Sequence, residues 1–201
     1  MKITITTSDQ YHHCLPVFFK TYNRHWGDPF ELVGYKEPPD LPDNCTFISL
    51  GEQRGPKFFT DDLKPYFNNQ PDFFVWMMED TFIRGFDRLA FDKIIDTFAK
   101  FPYGKINLTK EAMDREHQLA GDYFYPGDNT LYRLSTQPAI WNRDFILSYM
   151  NPGLSPWGFE TQIKHRSDNY KIVAPVENIL FHNEGARKHD IHNLNLEGLE
   201  L

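Results

Sequence analysis

The sequence predicts a single-domain α/β protein, built on a mixed and mainly parallel sheet flanked by helices. In the first half, strand-like runs alternate with runs of helical period, the order that produces βα units. Phe73-Phe74-Val75-Trp76-Met77-Met78 is apolar at every position, the habit of a central strand covered on both faces. It ends abruptly in two adjacent carboxylates, Glu79 and Asp80. The size suits one domain: 201 residues, 40% hydrophobic and 16% aromatic, supply a sizeable core and argue against disorder.

Lys2 to Thr7 alternates β-branched residues and predicts a first strand, with Ser8-Asp9 at its end. Tyr11 to Trp26 carries Leu15, Phe18, Phe19, Tyr22 and Trp26 near helical spacing. Pro16 fits there only if the regular helix starts beside it. Phe30 to Tyr35 and Cys45 to Leu50 are the next strands, joined by a proline-rich turn. Thr60 is a candidate cap for a helix toward Phe67. After the apolar strand, Arg88 to Phe101 predicts an amphipathic helix with Leu89, Phe91, Ile94, Ile95 and Phe98 on its buried stripe. Lys105 to Thr109 reads as a short strand. The second half is less regular. Glu111 to Asp128 is polar, Tyr132 to Trp141 is strand-like, and Asn142 to Met150 is a short helix. A further helix opens at Trp157 and runs toward Arg166, and Lys171 to Val176 and Ile179 to His182 are final strands. The tail after Gly185 has little apolar content and is expected to be loosely held.

Composition excludes several classes. Twenty-one basic against 28 acidic residues give a formal charge of −7, no footprint for a nucleic-acid polymer. Cys14 and Cys45 make neither a disulfide framework nor a zinc pattern, which fits a reducing compartment. With no leader and no apolar stretch of membrane-spanning length, the expectation is a soluble, cytoplasmic protein, and the sequons at Asn44 and Asn107 read as chance. Neither G-x-x-x-x-G-K nor G-x-G-x-x-G occurs, which counts against P-loop and dinucleotide chemistry.

Ligands of open α/β sheets collect at the carboxyl ends of the strands. Glu79 and Asp80 stand at such an end, where hard oxygens can hold a divalent metal; they can equally cap the next turn or pair with Arg84 or Arg88. Glu160, in Trp157-Gly158-Phe159-Glu160, can act as a general base or simply favour a helix start. His182 closes another apolar strand and is either a metal ligand or a structural hydrogen-bonder; His189 and His192 lie nearby. Thr7, Ser8, Asp9 and Tyr11 are suited to a base or ribose edge, and Arg54 and Lys57 to phosphate. Ser135, Gln137 and Trp141 could face a sugar, although Trp141 reads more readily as core.

Taken in order, these pieces resemble the GT-A glycosyltransferases, enzymes that take a sugar from a nucleotide diphosphate sugar. The likeness lies in Thr7-Ser8-Asp9 after the first strand, the acidic motif Glu79-Asp80, the W-G-x-E-like turn Trp157-Gly158-Phe159-Glu160, and His182 after a late strand. Leu134-Ser135-Thr136-Gln137-Pro138-Ala139-Ile140-Trp141 followed by Asn142-Arg143-Asp144-Phe145 is similar to a pattern in small glycosyltransferase-like proteins of viruses and bacteria. The usual acidic signature is D-x-D, whereas Glu79-Asp80-Thr81 stands here.

The resemblance implies a GT-A-like, Rossmann-like domain over residues 1–185. About 1–110 would be its nucleotide-binding half and 111–185 its acceptor half, with 186–201 a tail. It implies transfer from a UDP-sugar to an acceptor hydroxyl of a glycan or glycoprotein, with Mn²⁺ or Mg²⁺. Asp80 and His182 would hold the metal, and Glu160 would be the base of an inverting reaction. Thr7, Ser8, Asp9, Tyr11, Arg54, Lys57, Glu79 and Gln137 would bind the donor. A non-catalytic nucleotide-sugar or carbohydrate-binding module and a metal-dependent phosphohydrolase are the alternatives.

Overall fold

The computed structural model of the protein describes residues 1–98, 103–110, 117–118, 123–125, 134–161, 171–187 and 190–199. Strands carry their side chains to alternate faces, and this period divides the apolar residues between two cores. On β1 (Lys2–Thr6), Ile3 and Ile5 enter one core. Thr4 and Thr6 turn to the other, bonding Tyr66 at 3.0 Å and Trp76 at 2.9 Å. A 3-10 turn over Asp9–Cys14 runs directly into α1 (Leu15–His25), with Pro16 in its first turn, where a missing N–H goes unnoticed. The single predicted helix is therefore two pieces that meet where proline allows.

The chain continues through β2 (Phe30–Gly34), β3 (Cys45–Ser49), α2 (Phe59–Asn68) and β4 (Phe73–Met78). Next come β5 (Thr81–Phe86), α3 (Arg88–Phe98), β6 (Tyr103–Asn107), and the short β7 (His117–Gln118) and β8 (Tyr123–Tyr125). β9 (Ala139–Asn142), α4 (Arg143–Tyr149) and α5 (Pro156–Thr161) follow. β10 (Lys171–Pro175), β11 (Leu180–Glu184), β12 (Ala186–Arg187) and β13 (Asp190–Leu194) complete it. Among the described residues, the main sheet has nine strands in the order β3-β2-β1-β4-β9-β6-β10-β8-β7. The first four are mutually parallel. β9 enters antiparallel between β4 and β6, and β6 and β10 are again parallel. The carboxyl ends of β1 and β4 and the start of β9 consequently share one edge.

β4 is covered on both faces, as its uniform apolar run requires. Val75 and Met77 join the core under α1 and α3. Phe74 and Trp76 join the core under α2, α4 and α5, where the Trp76 and Trp141 rings lie 5.5 Å apart. Trp141 is core, fully buried.

Several elements differ from expectation. β5, absent from the sequence reading, leaves the main sheet and pairs antiparallel with β11 in a separate ribbon. Thr60 is not a cap, because Phe58 holds that position; the Thr60 hydroxyl instead donates to the Asn151 carbonyl at 2.7 Å, tying α2 to the turn before α5. The described part of the long helix begins after Asp87, whose carboxylate accepts from the Ala90 N–H at 3.0 Å, and ends at Phe98. The tail is tied down rather than loose. β12 pairs with β13, the Asn183 amide donates to the Glu197 carbonyl at 2.8 Å, and Leu194 and Leu199 pack on the first core. The predicted extension to Arg166, His189 and most of the polar stretch 111–128 lie outside the described residues.

Arg88 clamps Asp28 with two bonds of 2.7 and 2.8 Å, joining the start of α3 to the loop between α1 and β2 and holding the Asp28 carboxyl below its usual range. Both cysteines are free thiols, and burial pushes Cys14 up to about 12 and Cys45 up to about 11. Asn107 is buried in β6 and closed to glycosylation in the folded protein. Among the described residues, no helix is long and apolar enough to cross a membrane.

At Gly104 on β6, an added Cβ would meet the buried Phe145 ring at 2.6 Å. Gly104→Ala should therefore cost about 1–3 kcal/mol through overpacking. The urea midpoint should fall with an unchanged slope.

Candidate functional site

The shared edge of β1, β4 and β9 opens into a cleft of about 370 Å³. β1 and the turn after it bring Thr7, Ser8 and Tyr11, and β4 delivers Glu79 and Asp80 at its end. The approach to β9 brings Thr136 and Gln137. α5 contributes Trp157 and Glu160, one helical turn apart, and β11 contributes His182 and Glu184.

Of the residues singled out in the sequence, Thr7, Ser8, Tyr11, Glu79, Asp80, Gln137, Glu160 and His182 thus line one cavity. Ser135 and Trp141 are buried outside its lining, and three more do not line it. Asp9 accepts the Lys36 N–H at 3.1 Å and lies 3.7 Å from the Lys36 ammonium. Arg54 is bound to the Asp62 carboxylate, Nε at 3.1 Å and Nη2 closer still, and lies over the Phe58 ring. Lys57 approaches the same ring from 5.3 Å.

Glu184 and Thr136 were not foreseen. Glu184 accepts from Gln137 Nε2 at 3.2 Å and stands opposite Thr81 in the β5–β11 register. Its signal was present, since in a strand the residue two past His182 points to the same side. Thr136 holds Glu160: its N–H and hydroxyl both donate to Oε1, at 2.6 and 2.7 Å. Behind that peptide, Lys105 is fully buried in β6, its ammonium 2.6 Å from the Ser135 carbonyl and 4.6 Å from the centre of the Trp141 ring.

The electrostatics are one-sided. Glu79, Asp80, Glu160 and Glu184 line the cleft, and no Lys or Arg does so among the described residues. Burial, then Asp80, raises the Glu79 carboxyl well above its usual range. Asp80 is pushed up to about 6 by burial, then by Glu184 and Glu160. Burial lowers the His182 imidazole against the upward pull of Glu184, which favours the neutral ring. Among the described residues, Glu79 Oε2 and Ser8 Oγ are buried without a hydrogen-bond partner and no ion pair reaches Asp80. Such a wall of hard oxygens favours cations. Among the described residues, no three His, Cys, Asp or Glu side chains converge into a ready-made metal site.

Neither a protein-family model nor a curated protein sequence matches the chain. Solved structures match in fold. UDP-glucose pyrophosphorylase complexed with UDP-glucose superposes at a TM-score of 0.55 and 11% identity, over 92% of this chain and 93% of that one. S. aureus TarS superposes at 0.54 and 10%, over 90% of this chain and 59% of that one. The galactosyltransferase LgtC with donor and acceptor sugar analogs reaches 0.44 at 12% identity. The chain spans 59% of the length of an active-site mutant of LgtC. The fold, shared at those two higher scores with the pyrophosphorylase and with TarS, is GT-A-like: a Rossmann-like mixed α/β sheet flanked by helices.

A raised carboxyl pKa means the folded state binds protons more tightly than the unfolded one. The stability contributed by Asp80 is then fully present below its unfolded value of 3.8 and lost as pH rises through about 6. Asp80→Asn should remove that loss. In thermal melts its advantage over the wild type should be absent near the lower value and grow to a plateau above the higher one.

Proposed function

We propose that the chain is a metal-dependent glycosyltransferase that moves a sugar from a UDP-sugar to an acceptor hydroxyl with inversion at the anomeric carbon. The single observation that carries this reading is the acidic cleft at the carboxyl ends of β1 and β4, four carboxylates with no lining Lys or Arg among the described residues. A diphosphate could enter such a cleft only with a cation.

The residues fit a divalent ion. Asp80 and the unpartnered Glu79 Oε2 are hard oxygen donors, and His182 is a nitrogen donor elsewhere on the lining of the same cavity. Too few groups converge for an all-protein cage, which accords with ions of the Mg²⁺ kind, held by one or two carboxylates together with substrate phosphates. When bound, the ion would supply charge neutralisation for the leaving diphosphate.

The chain's own groups would do the rest. Thr7, Ser8 and Tyr11 would meet the nucleoside, with the Ser8 hydroxyl unspent on protein partners among the described residues. Arg54 could serve a phosphate only by leaving Asp62, so we give it, Lys57 and Asp9 supporting places at the rim. Glu160, fixed through Oε1 by Thr136, would take the acceptor proton on Oε2. The acceptor oxygen would bond to the anomeric carbon as the bond from that carbon to the diphosphate oxygen breaks, and UDP would depart. Nucleotidyl transfer, the reaction class of the pyrophosphorylase that shares the fold, is a poorer fit. A nucleoside triphosphate and a sugar phosphate would together bring more negative charge to the same four carboxylates. The proposed protein is soluble and works in the cytoplasm.

UDP-sugars with Mn²⁺ should raise the melting temperature, by the equivalent of about 2.7 kcal/mol at a hundredfold excess over Kd. Asp80→Ala should abolish the Mn²⁺-dependent part; stabilisation that survives intact would sink the metal assignment. Glu160→Gln should leave donor binding in place and lower kcat by roughly 10²–10⁴-fold. A wild type that binds nucleotide sugar tightly yet transfers to no acceptor would instead be a non-catalytic module. Phosphate release from simple phosphoesters would mark a phosphohydrolase.

A further inference from the structure

A second cavity, of about 320 Å³, shares His182 with the acidic cleft. Its other walls are Arg84, Gly85, Thr109, Asn178 and Phe181. Phe181 stands directly opposite Gly85 in the β5–β11 ribbon. A Cβ at position 85 would lie 3.5 Å from the Phe181 ring, so the ring rests against bare backbone and receives no side chain from its cross-strand neighbour. It stays 47% exposed. Cross-strand pairs usually cover such a ring.

The polar groups around it are donors or hydroxyls. Asn178 accepts the Lys110 N–H through Oδ1 at 2.7 Å, which fixes the amide and leaves Nδ2 as its donor. The Thr109 hydroxyl, on a residue only 1% exposed, has no partner among the described residues. Orphans of this kind are uncommon unless a ligand or water completes them. Arg84 is exposed, its guanidinium 3.4 Å from the Asn183 carbonyl oxygen of the side chain. No carboxylate lines this cavity among the described residues, in contrast to its neighbour.

An uncovered aromatic face ringed by hydrogen-bonding groups suits a pyranose. One face of such a ring presents C–H bonds, which are attracted to a π cloud, while its hydroxyls reach the rim. A cavity of this size is within the range of small-molecule sites. We propose that the second cavity is a carbohydrate subsite that holds one ring of an extended acceptor glycan, adjacent to the ring that reacts in the acidic cleft. That the glycan is the acceptor rests on the transferase reading above; that the cavity takes a sugar does not.

The test is NMR titration of the whole chain with lactose, maltose, cellobiose and N,N′-diacetylchitobiose, each beside its component monosaccharides. At least one disaccharide should bind about tenfold more tightly than its monosaccharides. That gain should disappear in Phe181→Ala, weaken in Thr109→Val and persist in Phe181→Trp. Melting shifts with UDP-sugar and Mn²⁺ should be the same in all four proteins, which also reports that the variants are folded. Disaccharides that bind no better than monosaccharides, or bind Phe181→Ala as they bind the wild type, would overturn the subsite. Disaccharide binding through Phe181 without any nucleotide-sugar effect would keep the subsite and remove the transferase.

Discussion

The cleft depends on where β4 stops. Its six residues are apolar because the strand is buried from both sides, so the first polar side chains after it follow at the sheet's edge without a gradual transition. Glu79 and Asp80 are the first two, and they are held in a turn by backbone bonds: Glu79 N–H to the Thr6 carbonyl at 3.2 Å, and Gly185 N–H to the Asp80 carbonyl at 2.5 Å. Burying charge without a partner is costly, and a carboxyl in that position answers by holding its proton more tightly. Both carboxyls do so. The fold therefore maintains a local electrostatic deficit, the kind of frustration that marks a functional site more often than a structural one.

The opposite wall is built the other way, from satisfied bonds. The buried Lys105 ammonium holds the Ser135 carbonyl, and the far side of the same peptide donates the Thr136 N–H to Glu160. Lys105 Nζ thus donates to one side of a peptide whose other side donates to one carboxylate oxygen, and hydrogen bonds in such chains strengthen one another. The two walls carry different duties: one leaves oxygens uncommitted, and the other commits one oxygen so that its twin keeps a fixed direction.

Much of this was legible in the sequence because the informative features are local. An all-apolar run followed by acids announces a central strand and its end, and proline at position 16 sets where α1 can begin. Non-local facts were not legible. Thr60 has the chemistry of a cap, but its hydroxyl is claimed by Asn151, far along the chain. Arg54 is a good phosphate ligand by composition, yet Asp62 in the first turn of α2 takes it. β5 escaped because Arg84 and Gly85 interrupt any alternation, and its partner β11 comes nearly a hundred residues later. The polar tail looked loose because its anchors are an Asn183 amide and two leucines that reach a core assembled from other segments.

The four indoles of this chain are unevenly placed. Trp26, Trp76 and Trp141 are sealed among other rings, while Trp157 stands 60% exposed at the entrance to the cleft. A soluble quencher such as iodide consequently has access to one emitter out of four in the native protein. The quenchable part of this chain's fluorescence is a signal from its doorway, and occupancy there can be followed without attaching a dye.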